Sequence, residues 1–163
     1  MVWLTNGEFE EKFATRHLEL VSSLPKNPVL IRADGRRLWR ILENLYNNAY
    51  KYAMQNSRIY VDVAQRDGKA IFTIKNVSEN PLNISADELT ERFVRGDGAR
   101  TTEGSGLGLS IAQSLTKLQN GTFTLSIDGD LFKAEVAFPV KWTTLEEYEE
   151  QEQREEETAA EAE

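Results

Sequence analysis

Two amides and one ammonium group share one side of the strongest helix that the sequence predicts. Asp34 can cap this helix, which continues to about Met54 with no interior Gly or Pro. At about 100° per residue, Asn44, Asn48 and Lys51 fall together beside the apolar face. An amide oxygen is a hard neutral ligand suited to Mg²⁺, and a lysine one turn away can neutralise a phosphate. In the ordinary alternative, Asn44 and Asn48 hydrogen-bond to neighbouring backbone groups and Lys51 is solvated. The stripe alone leaves both interpretations open.

A glycine-rich loop precedes a second predicted helix. The run Gly104-Ser105-Gly106-Leu107-Gly108-Leu109 enters an amphipathic segment, Leu107 to Leu118, and presents loop and helix-start N–H groups at one place. Such backbone suits a phosphate. The Gly-Lys-Ser/Thr ending of a Walker loop is missing, and no strand immediately precedes the run as in a Rossmann fingerprint. Arg95 and Arg100 lie upstream, in a stretch expected to be mobile, where they could close over a triphosphate or stay solvated.

Strands and turns must position these two helices. Strand-like patterns cover Arg16–Leu24, Val29–Ala33, Ile59–Gln65, Ala70–Val77, Thr122–Ile127 and Leu131–Phe138. Arg66-Asp67-Gly68 and Asp128-Gly129-Asp130 predict two hairpins. Ser85 and Glu88 form a capping box for a short helix to about Phe93. Gly121 stands where the second long helix is expected to stop.

Composition bounds the class of protein. The chain has 163 residues, 40% of them apolar, which suffices for one ordinary core. It has no cysteine and a single histidine, His17, so disulfide scaffolds, thiolate metal sites and multi-histidine sites are excluded. No run approaches the ~20 apolar residues that span a bilayer, and the start lacks a signal-peptide pattern. We therefore expect no direct membrane contact from this segment.

The net charge of −8 belongs to one end of the chain. Residues 146–163 hold ten Glu and one Arg and so carry −9, which leaves the rest at about +1. A nearly neutral body does not indicate a nucleic-acid partner. The end is helix-prone in propensity, but self-repelling and without an apolar stripe. The predicted organisation is an N-terminal arm or helix at 1–13, a domain at 14–141, and an acidic solvated tail at 142–163.

Three sequence boxes, in this order and spacing, resemble the ATP-binding catalytic domain of sensor histidine kinases. ENLYNNAYKY at 43–52, RFVRGD at 92–97 and GSGLGLSIA at 104–112 resemble the N box, the F box and the second glycine box of that family. The resemblance covers about residues 8–140. It implies an α/β two-layer sandwich of the Bergerat type, a mixed sheet with helices on one face and a flexible lid over ATP.

The resemblance assigns roles to the polar stripe. Asn48 would coordinate Mg²⁺, Asn44 would support that site, and Lys51 would contact phosphate. Tyr52 would pack near the adenine. The stripe derived from the helix wheel thus coincides with the family's metal and phosphate site.

The resemblance also assigns roles to the lid. Phe93 would anchor it and Arg95 would contact phosphate, while Arg100 is a candidate to close over the nucleotide from its position in the loop alone. The hinge and the phosphate-facing backbone would come from Gly104, Gly106, Leu107 and Gly108.

The first glycine box departs from the family pattern. Where the family has Asp-x-Gly-x-Gly after a strand, this chain has Asn76-Val77-Ser78-Glu79-Asn80. The side-chain oxygen of Asn76 can still accept a hydrogen bond from the adenine amino group. Asn80 tolerates a left-handed backbone, but Ser78 would be strained there. We expect adenine binding to survive, with or without some loss of affinity.

The resemblance implies a kinase reaction. Related ATPases of this fold carry a water-activating glutamate at the position of Asn44, and an amide cannot act as that base. The family's acceptor is a histidine on a separate dimerising hairpin, and His17 lacks its sequence context. The expected function is therefore transfer of the γ-phosphoryl group of ATP·Mg²⁺ to a histidine on the dimerisation domain of the same parent kinase, for relay to a response regulator.

Two alternatives to this expectation follow from the same residues. The altered first glycine box allows a nucleotide-sensing pseudokinase module that binds without transferring phosphate. The fold also allows a GHKL-type ATPase. The family resemblance places this segment in the cytoplasm, with a membrane-anchored parent protein.

Overall fold

The computed structural model describes residues 1–82, 85, 88, 107–142 and 145–161. The helices are α1 (Val2–Ala14), α2 (Gly35–Tyr52), α3 (Leu107–Leu118) and α4 (Leu145–Glu161). The strands are β1 (Glu19–Ser23), β2 (Leu30–Ile31), β3 (Arg58–Arg66), β4 (Lys69–Val77), β5 (Thr122–Asp128) and β6 (Leu131–Trp142). The α/β class expected from the sequence is confirmed.

The described strands form one mixed sheet. Its order is β1-β3-β4-β6-β2, and β5 also pairs with β6. The β1–β3 pair is parallel, and the other pairs are antiparallel. Both predicted hairpins are present: Asp67 (φ 50°) and Gly68 (φ 70°) form the first turn, and Gly129 (φ 58°) opens the second.

One face of this sheet packs against the helices. Alternate residues of β6 are buried, as the two-residue period of a strand requires: Phe132, Ala134, Val136 and Phe138. They join one apolar core with the buried face of α2, which consists of Ile41, Leu42, Leu45, Tyr46 and Ala49. Because the apolar residues of α2 recur at helical spacing, the polar stripe is left at the edge of this core.

Helix α1 contributes to the same core. Phe9 and Phe13 are buried and contact Tyr46 of α2, with ring centroids 5.1 and 6.1 Å from the Tyr46 ring. The Tyr46 hydroxyl donates to Asn6 Oδ1, and burial raises the pKa of this phenol above its ordinary value. The first turns of the chain are therefore packed against the body as a helix.

The sequence-based start of the first strand is wrong. Residues 15–17 form a turn, and β1 begins at Glu19 rather than Arg16. His17 adopts a left-handed conformation (φ 53°) and donates its N–H to Ala14 O, and Leu18 donates to Phe13 O, both at 3.0 Å. These are the two hydrogen bonds of a Schellman helix end. The exposed His17 thus serves in ending α1.

The end of β6 also differs from the expectation. The sequence predicts that the strand closes at Phe138, before Pro139. Pro139 does end the pairing with β4, but β6 continues to Trp142 because Val140 and Trp142 pair with β2. A proline at the end of one ladder costs no hydrogen bond in the next.

The acidic end of the chain is helical. In α4 the described side chains are exposed, apart from the half-buried Gln151. Glu146 and Glu147 occupy the first turn, where negative charge is favourable, and Arg154 pairs with Glu150 at 3.3 Å. The expected acidic tail is thus helical in its described part, and the charged side chains described there are exposed. No helix in the described part of the chain is both long and apolar enough to cross a membrane.

Helix α3 ends just before Gly121, as the sequence predicts, and the packing adds a second reason for a glycine at this position. Asn120 is the left-handed residue (φ 60°) after α3, and Gly121 donates its N–H to Thr116 O at 2.9 Å. A Cβ on Gly121 would lie 2.6 Å from Phe138 Cε1 and 2.8 Å from Thr116 Cγ2. Both neighbours are buried. Gly121 is therefore required by lack of space rather than by its backbone angle.

Gly121→Ala should lower the free energy of unfolding by about 1–3 kcal/mol, because a methyl group is forced into a packed core. Urea denaturation with an unchanged slope measures this loss. Gly7→Ala is the matched control, since nothing lies within 4 Å of a Cβ there. In a helix that change should stabilise the protein by about 0.5–1 kcal/mol. Equal midpoints for Gly121→Ala and the unsubstituted chain would show that the core accommodates the methyl group.

Candidate functional site

The polar stripe lies on α2 as the sequence predicts. Asn44 and Asn48 are half-buried and Lys51 is exposed at the C-terminal end of the helix. Asp34 caps the N-terminus by accepting from Arg37 N–H at 3.0 Å, and this hydrogen bond lowers the pKa of its carboxyl. The cap and the buried face fix the rotation of α2, so the three polar groups share one side of it.

The start of α3 meets this stripe at Asn44. A Cβ on Gly108 would lie 3.3 Å from Asn44 Oδ1. The Asn44 Nδ2 group donates to Arg40 O at 2.6 Å, which orients the amide. The predicted N box and second glycine box are thus in contact, and a glycine at 108 allows the two helices to approach this closely.

The first turn of α3 begins at the exposed Leu107. Leu109 is buried and anchors the helix in the core. The first N–H groups of an α-helix lack acceptors within the helix and favour an anion. The predicted phosphate-facing backbone is therefore at least in part a helix N-terminus placed beside Asn44.

The altered first glycine box lies beside the other end of α2. Asn76 is buried, 3% exposed, and its Nδ2 donates to Val77 O at 3.3 Å, so Oδ1 is the atom of this amide that can accept from a ligand. Glu79 N–H donates to Tyr52 O at 2.8 Å, and Met54 N–H donates to Val77 O at 2.9 Å. Residues 76–80 are thereby held against the end of the N box.

Ser78 and Asn80 do not need a glycine-like backbone. Neither adopts a positive φ. Ser78 is buried, donates its N–H to Asp130 O at 2.7 Å and pairs with Ala53 in an isolated β-bridge. The strain that a left-handed backbone would impose on Ser78 is therefore absent, and the tolerance of Asn80 for such a backbone is not used.

Lys51 and Tyr52 form a pair at the end of α2. The Lys51 Nζ atom lies 5.1 Å from the centroid of the Tyr52 ring. Tyr52 is 41% exposed, which leaves ring surface for a flat ligand. An ammonium over an aromatic face is attracted by its quadrupole.

The remaining predicted site residues belong to the lid. Phe93, Arg95, Arg100, Gly104 and Gly106 lie outside the described residues. The capping box before the lid is confirmed: Ser85 Oγ accepts from Glu88 N–H at 3.1 Å, and Glu88 Oε2 accepts from Ser85 N–H at 3.0 Å.

The donor set suits a metal that arrives with a phosphate ligand. No group of three His, Cys, Asp or Glu side chains that could hold a metal occurs within the described ranges. Asn44 and Asn48 offer amide oxygens, which bind Mg²⁺ only as a supplement to waters and phosphate oxygens. The residues present therefore fit Mg²⁺ bound together with a nucleoside triphosphate.

Sequence reasoning missed one residue next to this site. Arg16 lies 63 positions before Glu79, and its Nη2 atom donates to Glu79 Oε2 at 2.7 Å. The sequence placed Arg16 on a strand and gave no signal that it reaches the first glycine box.

Comparison with known proteins identifies relatives of this chain. The family model described as "Histidine kinase-, DNA gyrase B-, and HSP90-like ATPase" matches residues 33–155. The signal transduction histidine-protein kinase BaeS of Escherichia coli (strain K12) is 32% identical over 120 residues, 72% of this chain and 26% of the relative. The sensor histidine kinase RppB of Synechocystis is 31% identical over 120 residues, with the same two shares. The chain thus spans about a quarter of the length of these curated relatives.

Solved structures share the fold. The catalytic domain of histidine kinase ThkA gives a TM-score of 0.71 at 22% identity, covering 83% of this chain and 87% of that one. ThkA in complex with the response regulator protein TrrA gives 0.69 at 19% identity, covering 86% of this chain and 39% of that one. These neighbours support the two-layer Bergerat fold expected from the three boxes. The length of the family match establishes that the chain belongs to the histidine kinase-, DNA gyrase B- and HSP90-like ATPase family.

Proposed function

We propose that this chain is the ATP-binding catalytic domain of a sensor histidine kinase. It transfers the γ-phosphoryl group of ATP to a histidine on a separate dimerisation domain of the same parent kinase. The observation that carries the proposal is the contact between Asn44 of α2 and Gly108 at the start of α3. Two boxes that are 64 positions apart in the sequence meet there at one polar edge of the core.

The nucleotide lies along α2 in this proposal. Tyr52 and Asn76 take the adenine end, where the Asn76 Oδ1 atom accepts from the adenine amino group. Asn44, Asn48 and the first turn of α3 take the phosphate end. Positions 44 and 52 are about 12 Å apart along a helix, a distance that suits a whole nucleotide better than a single phosphate ion.

Asn48 would hold Mg²⁺ bound together with the nucleotide, and the ion would supply positive charge to the phosphate oxygens. Asn44 fixes the edge of that site through its contact with Gly108 and its hydrogen bond to Arg40 O. Lys51 contributes a positive charge to the phosphates. The lid residues Phe93, Arg95 and Arg100 complete the enclosure, together with Gly104, Gly106 and Leu107.

Transfer is favoured over hydrolysis by the chemistry of position 44. An amide has no lone pair basic enough to take a proton from water, so Asn44 cannot activate a hydrolytic attack. The neighbouring carboxylate, Glu43, is exposed. What remains is positioning and charge neutralisation, which suffice for direct phosphoryl transfer to an aligned nucleophile.

The acceptor is supplied by another segment in this proposal. The exposed His17 adopts the left-handed turn that ends α1 and lacks the family's acceptor context. The partners are the histidine-bearing dimerisation domain and a response regulator, in a cytoplasmic part of a membrane-anchored parent protein.

The test combines binding and transfer. Calorimetric titration with ADP and a non-hydrolysable ATP analogue, with and without Mg²⁺, measures the site first. Radiolabelled ATP and the parent's acceptor hairpin should then yield an acid-labile, alkali-stable phosphoprotein. Binding without transfer would favour the nucleotide-sensing module allowed by the altered first glycine box, and multiple-turnover phosphate release would favour an ATPase. Absence of nucleotide binding would overturn the proposal.

A further inference from the structure

Helix α2 ends differently from α1 and α3. The last turns of α1 and α3 are closed by left-handed residues, His17 and Asn120. Helix α2 instead passes directly into an extended residue, Ala53, with ψ 143°. The last carbonyls of a helix find no N–H donor within the helix, so their hydrogen bonds must come from other groups. In α2 these carbonyls lie in the turn that carries Lys51 and Tyr52.

Arg16 supplies most of those donors. Its guanidinium donates to Tyr50 O, to Lys51 O at 3.0 Å and to Ala53 O at 3.1 Å. Tyr52 O, the carbonyl between them, accepts from Glu79 N–H at 2.8 Å. Every carbonyl from 50 to 53 therefore has a partner. A positive charge at this end also complements the helix dipole.

The same guanidinium reaches the first glycine box. Arg16 Nη2 lies 2.7 Å from Glu79 Oε2, and the Arg16 side chain is only 15% exposed. A planar fork with five N–H donors can bind three carbonyls and a carboxylate at once, which an ammonium cannot reproduce in the same geometry. Arg16 thus joins the turn after α1, the end of α2 and the segment 76–80.

We propose that Arg16 is a positioning residue for the nucleotide site. Its guanidinium holds the last turn of α2 and the segment 76–80 in the register of the Tyr52–Glu79 and Met54–Val77 backbone hydrogen bonds. That register fixes where the two proposed adenine contacts, Tyr52 and Asn76, lie. The inference rests on the proposed nucleotide binding and extends it to a residue that contacts no nucleotide. Arg16 acts through the backbone of α2 and through Glu79.

Three variants separate the contributions of the planar guanidinium, its positive charge and the apolar part of the Arg16 side chain. Arg16→Met keeps an apolar stem beside the Tyr50 ring, whose centroid lies 5.8 Å from the guanidinium carbon, and removes every donor. Arg16→Lys restores the charge without the fork. Glu79→Gln keeps an acceptor for Arg16 and removes only the carboxylate charge.

Two controls account for charge and stability. Arg58→Met removes an exposed arginine that pairs with Glu19 at 3.0 Å at the start of β3. Gly121→Ala destabilises the core at the end of α3, away from the segment 76–80. Each variant is measured where its melting curve shows it folded, by ADP calorimetry and by amide hydrogen exchange at Met54 and Glu79.

Arg16→Met should weaken ADP binding by about tenfold, equivalent to about 1.4 kcal/mol. It should also speed exchange of the Met54 and Glu79 amide hydrogens. Arg16→Lys should recover part of both, and Glu79→Gln should lose less than Arg16→Met. The controls should bind ADP as the unsubstituted chain does.

Unchanged ADP affinity in folded Arg16→Met, or a loss no larger than in Gly121→Ala, would overturn the inference. If the unsubstituted chain binds no ADP, the proposed function fails instead. Hydrogen exchange then still decides whether Arg16 holds the segment 76–80. Unchanged exchange at Met54 and Glu79 in Arg16→Met would contradict that role without reference to any nucleotide.

Discussion

Asn48→Ala should weaken ADP binding in the presence of Mg²⁺ by about 10- to 100-fold, the loss typical when a residue that supports a bound metal is replaced. The same substitution should change ADP binding much less when Mg²⁺ is chelated. This pattern follows if the Asn48 amide oxygen is the protein's ligand to the metal rather than to the nucleotide. Mg²⁺ takes few protein ligands, so in this proposal Asn48 supplies a large share of the contact between the protein and the metal. Calorimetry with and without a chelator measures the ADP affinity under both conditions.

Asn47→Ala is the matched control for this prediction. It removes the same amide one position earlier on α2, but Asn47 Oδ1 accepts from Lys12 Nζ at 2.6 Å and so contacts α1. Its ADP affinity should be that of the unsubstituted chain, with and without Mg²⁺. Asn48→Asp, which restores a hard oxygen ligand, should recover part of the Mg²⁺ dependence. Equal losses for Asn48→Ala under both conditions would place the amide on the nucleotide instead.

The α2 half of the site could be predicted because its signals are local. Asp34 as a cap and apolar residues at helical spacing fix both the start and the rotation of the helix. The same rotation leaves Asn44 and Asn48 half-buried at the edge of the core. The two hairpins were equally predictable, since Asp67-Gly68 in the first turn and Gly129 in the second suit the positive φ angles that these turns require.

The contacts between distant segments could not be predicted from such patterns. Gly108 opposite Asn44 and Arg16 opposite Glu79 join positions more than sixty residues apart. The start of β1 was misplaced because alternating residues after Arg16 imitate a strand, whereas His17 adopts the left-handed conformation that ends α1. Gly121 shows the same limit, because its need for a missing Cβ is visible only once Phe138 is in place.

The packing of α1 predicts a large effect on stability. Phe13→Ala should lower the free energy of unfolding by about 3–5 kcal/mol, the usual cost of deleting a buried phenylalanine. Phe13 is fully buried, and its ring centroid lies 5.8 to 6.4 Å from those of three other rings, Phe9, Tyr46 and Tyr50. Two of these belong to α2, so the cavity would loosen the helix that carries the site. Urea denaturation should show a midpoint lowered by more than about 1 M.

Trp3→Ala makes this prediction specific to burial. Trp3 is a larger aromatic residue on the same helix, but it is 73% exposed. Its removal should change the free energy of unfolding by no more than about 0.5 kcal/mol. A free energy of unfolding of about 5–15 kcal/mol is typical of a whole domain, so Phe13→Ala would remove a large share of it. Two results would contradict this prediction: a urea midpoint for Phe13→Ala equal to that of Trp3→Ala, or a separate early transition before the sheet unfolds. Either would show that α1 is an arm docked on a core that is stable without it. A single transition shifted by Phe13→Ala alone would place α1 within the cooperative unit that holds Asn44, Asn48 and the end of α2.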